Sequence, residues 1–130
     1  MPYKPKIDTF LIADNVIQEK DSNKWSVIGV FGQIFSNRFP CFHSNMALYI
    51  KISDAEGEYD IRVEFTDSNE NKLGIFEGIK LRVDSKLVSV DFGIRTQNLM
   101  IPKPGKYHFS LYFNNEFCES CPLIATERGK

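Results

Sequence analysis

Strict alternation of apolar and polar residues recurs along this chain and leaves little choice of fold. Tyr59, Ile61, Val63 and Phe65 alternate with Asp60, Arg62, Glu64 and Thr66. Tyr107, Phe109, Leu111 and Phe113 alternate with His108, Ser110, Tyr112 and Asn114. Met46, Leu48, Ile50 and Ile52 keep the same period, as do Val88, Val90, Phe92 and Ile94, and less tidily Ile75, Ile79, Leu81 and Val83. Successive side chains on a strand point to opposite faces, so each run is a strand with one face in a core and one in water. No window of comparable length places apolar residues at helical spacing.

Turn chemistry separates the runs at short intervals: Asp21-Ser22-Asn23, Asp54 to Gly57, Asp67 to Asn71, Pro102 to Gly105 and Asn114-Asn115. About eight strands result, with expected spans 7–17, 25–38, 45–53, 58–67, 71–83, 87–95, 105–113 and 116–124. The pattern is all-β: one antiparallel β-sandwich, immunoglobulin-like in outline, filling a single domain over 1–130 with its ordered core at about 7–124. Two stretches echo each other. Gly57-Glu58-Tyr59 and Gly105-Lys106-Tyr107 each open an alternating run. A tyrosine just inside a strand can bury its ring while its hydroxyl bonds nearby backbone, so both copies read as tyrosine corners.

One segment departs from the pattern. Between Trp25 and Phe35 apolar residues occupy both parities: Trp25, Val27, Phe31 and Phe35 on one, Ile28, Val30 and Ile34 on the other. Bulges at Gly29 and Gly32 would shift the parity part-way and keep one face inward. The alternative is that one face lies under another subunit, because large apolar patches mark contact sites. Ile7 to Ile17 carries a similar run through Phe10, Leu11, Ile12 and Ala13.

Composition limits the function classes. With 130 residues the chain can bury a core without staples, and 42% hydrophobic residues exclude disorder. Sixteen basic against seventeen acidic residues leave no basic excess for a phosphate backbone or an anionic membrane surface. No segment reaches the roughly 20 apolar residues of a membrane span, and the start has no secretory pattern. The expected compartment is the cytoplasm. Three cysteines, an odd number, agree with it.

Few residues carry chemistry. There is no Gly-x-Ser-x-Gly, no phosphate-binding loop and no dinucleotide fingerprint, and His43 and His108 are the two histidines. No catalytic residue and no cofactor are therefore assigned. Cys118-x-x-Cys121 with Cys41-x-His43 could form a Cys₃His zinc shell. Against it, Cys118 and Cys121 fall in a strand, where positions three apart face opposite ways. Thiols without a role are the simpler expectation. Asp54, Glu56, Glu58 and Asp60, and Asp67 with Glu70, offer calcium-type oxygens at spacings any charged turn supplies. Tyr112 and Phe42 could stack on a glycan ring.

Several stretches, taken in order, resemble a family of small uncharacterised bacterial proteins, a domain of unknown function. They are Ala13-Asp14 and Val16, Gly29-Val30-Phe31, Ile34-Phe35, Arg38-Phe39-Pro40 and His43, Leu48-Tyr49-Ile50, Asp54-Ala55-Glu56-Gly57-Glu58-Tyr59, and Pro102 to Phe109 with Leu111 and Asn114-Asn115-Glu116. The resemblance covers about 7–124 and implies a stand-alone cytoplasmic β-sandwich without assigned activity. It carries over no catalytic residue, and it places His43 in a Phe-Pro-x-x-His stretch. The expected function is a non-enzymatic protein-interaction or assembly module, with a protein partner or self-association and neither nucleic acid nor membrane. The alternative is a small-ligand-binding sandwich, taking zinc through the Cys/His set or a glycan.

Overall fold

The computed structural model describes residues 4–128. Nine strands follow in order: β1 (Lys6–Gln18), β2 (Trp25–Phe31), β3 (Gln33–Ser36), β4 (Cys41–Ser53), β5 (Gly57–Asp67), β6 (Lys72–Val83), β7 (Val90–Ile101), β8 (Gly105–Phe113) and β9 (Glu116–Glu127). They form a β-sandwich of two sheets, one ordered β2-β1-β4-β7 and the other β3-β9-β8-β5-β6. Every pairing is antiparallel except β3 with β9, which runs parallel.

The alternating runs face inward as their period requires. Leu48, Ile50 and Ile52 of one sheet meet Ile61, Val63, Phe65, Phe109 and Leu111 of the other in one buried cluster. Phe65 stacks on Tyr107 at 5.4 Å and tilts against Phe109 at 4.7 Å between ring centroids. Aromatic pairs of this kind add about 0.5–1.5 kcal/mol beyond the area they bury. Both tyrosine corners form. The Tyr59 hydroxyl accepts from Glu56 N (2.9 Å) and donates to Glu56 O (3.1 Å). The Tyr107 hydroxyl does the same with Lys103 N and O.

Three expected boundaries are corrected. The 25–38 run is two strands, because at Gly32 the chain leaves the first sheet and joins the second: Gly32 O accepts from Ile124 N, and β3 continues along β9. Leu87 and Val88 belong to an exposed turn in which Ser85 receives the amides of both, so β7 starts at Val90 and extends to Ile101. β4 likewise begins at Cys41 rather than 45.

The two-sided character of β1 and β2 has a specific cause. β1 pairs with β4 only as far as Ala13↔Ala47. Beyond that point it leaves β4 and crosses the outer face of the sheet, so that Val16 and Trp25 lie over Gly93 on β7. Arg95 Nη2 donates to Val16 O at 2.8 Å and fastens the crossing strand. Ala13 and Ala47, small and fully buried although they point away from the other sheet, let the hairpin approach. Val16, Val27 and Trp25 thus form a second apolar layer. The bulges expected at Gly29 and Gly32 are not one-residue slips: the β1–β2 register is unchanged from Ala13↔Val30 to Asn15↔Ile28, with Asp14 and Gly29 unpaired between. Gly29 has φ +71° and the Asp14 carboxylate rests against its Cα, where a side chain would collide.

Candidate functional site

The sequence-derived zinc ligands are divided between the sheets. Cys41 and His43 lie on β4, Cys118 and Cys121 on β9. Among the described residues no group of three or more His, Cys, Asp or Glu side chains is placed to hold a metal ion. All three thiols pack partly against the core. Burial pushes the Cys118 and Cys121 thiols above the ordinary cysteine range, and the Cys118 thiol bonds weakly to Glu116 O at 3.5 Å. His43 tilts against the Phe31 ring at 5.5 Å.

Two of the acidic turn residues, Asp60 and Asp67, are engaged internally. Asp60 receives Lys80 at 2.6 Å. Asp67 accepts from the Asn71 side chain and from the amides of Asn69 and Asn71, which holds its carboxyl below the usual carboxylate range. Of the aromatic candidates, Tyr112 carries the Arg62 guanidinium over its ring at 4.2 Å and meets the edge of Phe117. Phe42 is open to solvent.

What the fold does assemble is a split in the first sheet. From Cys41 to Met46, β4 keeps β7 on one side (Cys41↔Ile101 through Met46↔Thr96) but has lost β1 on the other. At the same level both strands take one extra residue. Inward-facing positions run Cys41 and then Met46, Leu48 and Ile50 on β4, and Ile94, Thr96 and then Leu99 and Ile101 on β7, with no change of register. Asn98 supports the kink on β7 with φ 50°, a region that asparagine tolerates better than most residues. Thr96 is buried there, donating its hydroxyl to Met46 O at 3.1 Å.

Two cavities flank this free stretch of β4. A groove of about 400 Å³ is lined by Val30, Phe31, Ile34, Phe35, Cys41 and Phe42 together with the polar Gln33, Ser36 and His43. Its rim is apolar and exposed: Val30 61%, Phe35 53% and Phe42 64%, with Met100 beside Phe42 at 42%. A second, polar cleft of about 580 Å³ is lined by Asn15, Ser44, Asn45, Arg95 and Gln97 over a floor of Met46 and Ala47. Asp14 and His43 border both cavities. Among the described residues neither Asp14 nor Arg95 joins an ion pair.

Edge protection is uneven around the molecule. The edge strand β6 carries Lys72, Glu77, Lys80 and Arg82, and β7 carries Asp91 and Arg95. The edge formed by β2 and β3, from Trp25 to Ser36, contains no charged side chain. Charges on edge strands ordinarily prevent unwanted pairing. Sequence reading singled out His43 and the two-sided strand, but not Arg95, Asn45 or Gln97, which have no motif and become neighbours of Asp14 only where β1 turns away.

Among curated proteins none matches the chain. Among solved structures, the alkylpurine DNA glycosylase AlkC of Pseudomonas fluorescens, bound to DNA containing an abasic site analog, is similar with a TM-score of 0.60 at 10% identity. The likeness covers 94% of this chain and 30% of that one, and it bears on the fold alone. A β-glucosidase from Listeria innocua in complex with gluconolactone matches with a TM-score of 0.45 at 9% identity, over 91% of this chain and 16% of that one. A family of unknown function, DUF6941, matches residues 8–126, nearly the whole sandwich, and the chain belongs to that family.

Proposed function

We propose that this domain is a non-enzymatic protein-interaction module that docks partners at the uncharged β2–β3 edge and the apolar groove beside it. One observation carries the reading. The β2–β3 edge has no charged residue of its own, and there Val30 and Phe35, with Phe42 of neighbouring β4, stand exposed around a cavity, the Arg128 guanidinium lying over the Phe35 ring at 5.9 Å. Exposed apolar rims around a concave centre are the usual anatomy of a docking patch. The outline is immunoglobulin-like, as the tyrosine corner at Tyr107 supports, and such sandwiches present their edges and loops to partners. A self-pairing edge would make an isologous dimer the simplest assembly.

The polar cleft, which places His43 near Asp14 and Ser44, does not favour an enzyme over this reading. The imidazole packs on Phe31, and among the described residues no hydrogen bond links it to either neighbour. An imidazole already bonded to an orienting carboxylate would have favoured a catalytic base.

The test uses full-length protein and a Phe42→Asp variant, first checked for an unchanged melting temperature. Native mass spectrometry and capture from a lysate of the source organism should give a dimer or a retained protein for the parent that the variant loses. A parent that stays monomeric and retains nothing beyond what the variant retains would overturn the proposal.

A further inference from the structure

The two cavities and the free edge between them describe an occupant. This step rests on the interaction-module reading above. We infer that the site takes an extended peptide segment, which adds as a strand to β4 at residues 41–46, puts an apolar side chain in the groove and places an acidic one on Arg95.

Backbone comes first. β4 is an interior strand, paired on both sides from Ala47 to Ile52 and with β7 alone from Cys41 to Met46, Ser44 excepted. Along those six positions its main chain lacks the ladder that β1 supplies further down. An extended segment of about six residues, roughly 20 Å at 3.3 Å per residue, would restore it.

Side chains then sort themselves. A strand sends successive residues to opposite faces. Phe42, Asn45, Arg95 and Gln97 all face outward, and the cavities follow one another along β4, the groove with Val30, Phe35 and Phe42 beside residues 41–43 and the polar cleft with Asn45, Arg95 and Gln97 beside 43–47. A segment beside β4 therefore presents same-face residues, two or four positions apart, first to one and then to the other.

Charge settles the chemistry of the second set. Arg95 spends Nη2 on Val16 O and joins no ion pair among the described residues, and its exposed side chain leaves the rest of the fork open to a ligand. A planar guanidinium pairs best with a carboxylate. Asp14, equally without a cation and placed where β1 leaves β4, can accept a main-chain N–H of the entering segment. The recognised pattern is thus an apolar residue and an acidic one on the same face of an extended chain, two or four positions apart.

A display library of random dodecamer peptides is the probe, selected against the full chain. Enriched peptides should carry an apolar and an acidic residue two or four positions apart. A synthetic copy should shift the backbone amide resonances of residues 41–46. Arg95→Glu should weaken that copy by about 10-fold or more, and a lysine in place of its acidic residue should restore binding to that variant. No enrichment, amide shifts confined to another edge, or an Arg95→Glu affinity within about twofold of the parent would overturn the inference. Enriched peptides that need Phe42 but neither Arg95 nor the 41–46 amides would overturn it while leaving the interaction-module reading in place. Binding indifferent to Phe42 would remove both.

Discussion

Replacing Gly93 by alanine tests the feature that makes this sandwich unusual, the hairpin folded across its own outer face. A Cβ at position 93 would lie 2.5 Å from Val16 Cγ2, 3.3 Å from Val16 Cβ and 3.0 Å from Trp25 Cζ3. Carbon atoms in favourable contact stand about 3.5–4.0 Å apart, so the new methyl overlaps Val16 by about 1 Å. Val16 cannot step aside freely, because its carbonyl is held by Arg95 and its χ1 is restricted by branching. Overpacking of this kind costs about 1–3 kcal/mol. Alanine recovers about 0.4–1 kcal/mol by restricting the unfolded chain. The net expectation is destabilisation by about 1–2 kcal/mol, read from urea unfolding as a lower midpoint at unchanged slope. Trp25 is the only tryptophan and touches the site, so its emission should shift to the red under native conditions. Gly32→Ala serves as the control, since nothing lies within 4 Å of a Cβ there. Parental stability and parental emission for Gly93→Ala would refute the crossing of β1 over β7.

Two further expectations concern titration. Desolvation and the hydrogen bond to Asp91 push the Tyr49 hydroxyl up to about 12, from an ordinary value of 10.0. The folded state therefore holds that proton where the unfolded state has released it, and the stability this contributes is present below pH 10 and lost between pH 10 and 12; Tyr49→Phe should flatten that decline in a series of melts, and an identical decline in both proteins would count against the assignment. Burial raises the thiols of Cys118 and Cys121, so alkylation of the native protein at pH 8 should label both more slowly than free cysteine and reach the free rate on unfolding. Equal native and unfolded rates would contradict the burial argument.

Period two identified most strands because most of this sandwich obeys it. The runs from Tyr59 to Phe65 and from Tyr107 to Phe113 lie in central strands, where one face meets the core along the whole length. Parity flips hide the rest. Beyond Met46 toward Cys41, and beyond Thr96 toward Ile101, the inward positions change parity, so the outer ends of β4 and β7 did not look like strands. Val88 failed for the opposite reason: it keeps the period of Val90 and Phe92 while lying in a turn. The zinc set shows a different limit. Spacing along the chain suggests Cys41-x-His43 and Cys118-x-x-Cys121 as two halves of one shell, but assigning them to opposite sheets requires the topology. His43 was legible as a residue of interest, whereas Arg95 was simply a polar residue on an alternating strand. Its partners depend on where β1 departs, which local sequence does not encode.

That departure concentrates three costs at one level of the fold. Gly29 and Asp14 forgo pairing, β4 loses a ladder partner over Cys41 to Met46, and Asn98 adopts a backbone region that costs a non-glycine residue about 1–3 kcal/mol. A sandwich selected for stability alone would continue β1 alongside β4 and remove all three. The compensation within the chain is limited to the layer formed by Val16, Val27 and Trp25, and it lies on the far side of the break. Nothing in that layer requires Val30, Phe35 and Phe42 to be exposed together, or the adjoining edge to be without charge. A partner strand placed beside β4 would answer these features together: it completes the ladder, covers the apolar rim and supplies Arg95 with a carboxylate. On the proposed reading the irregularities are one docking slot rather than separate defects.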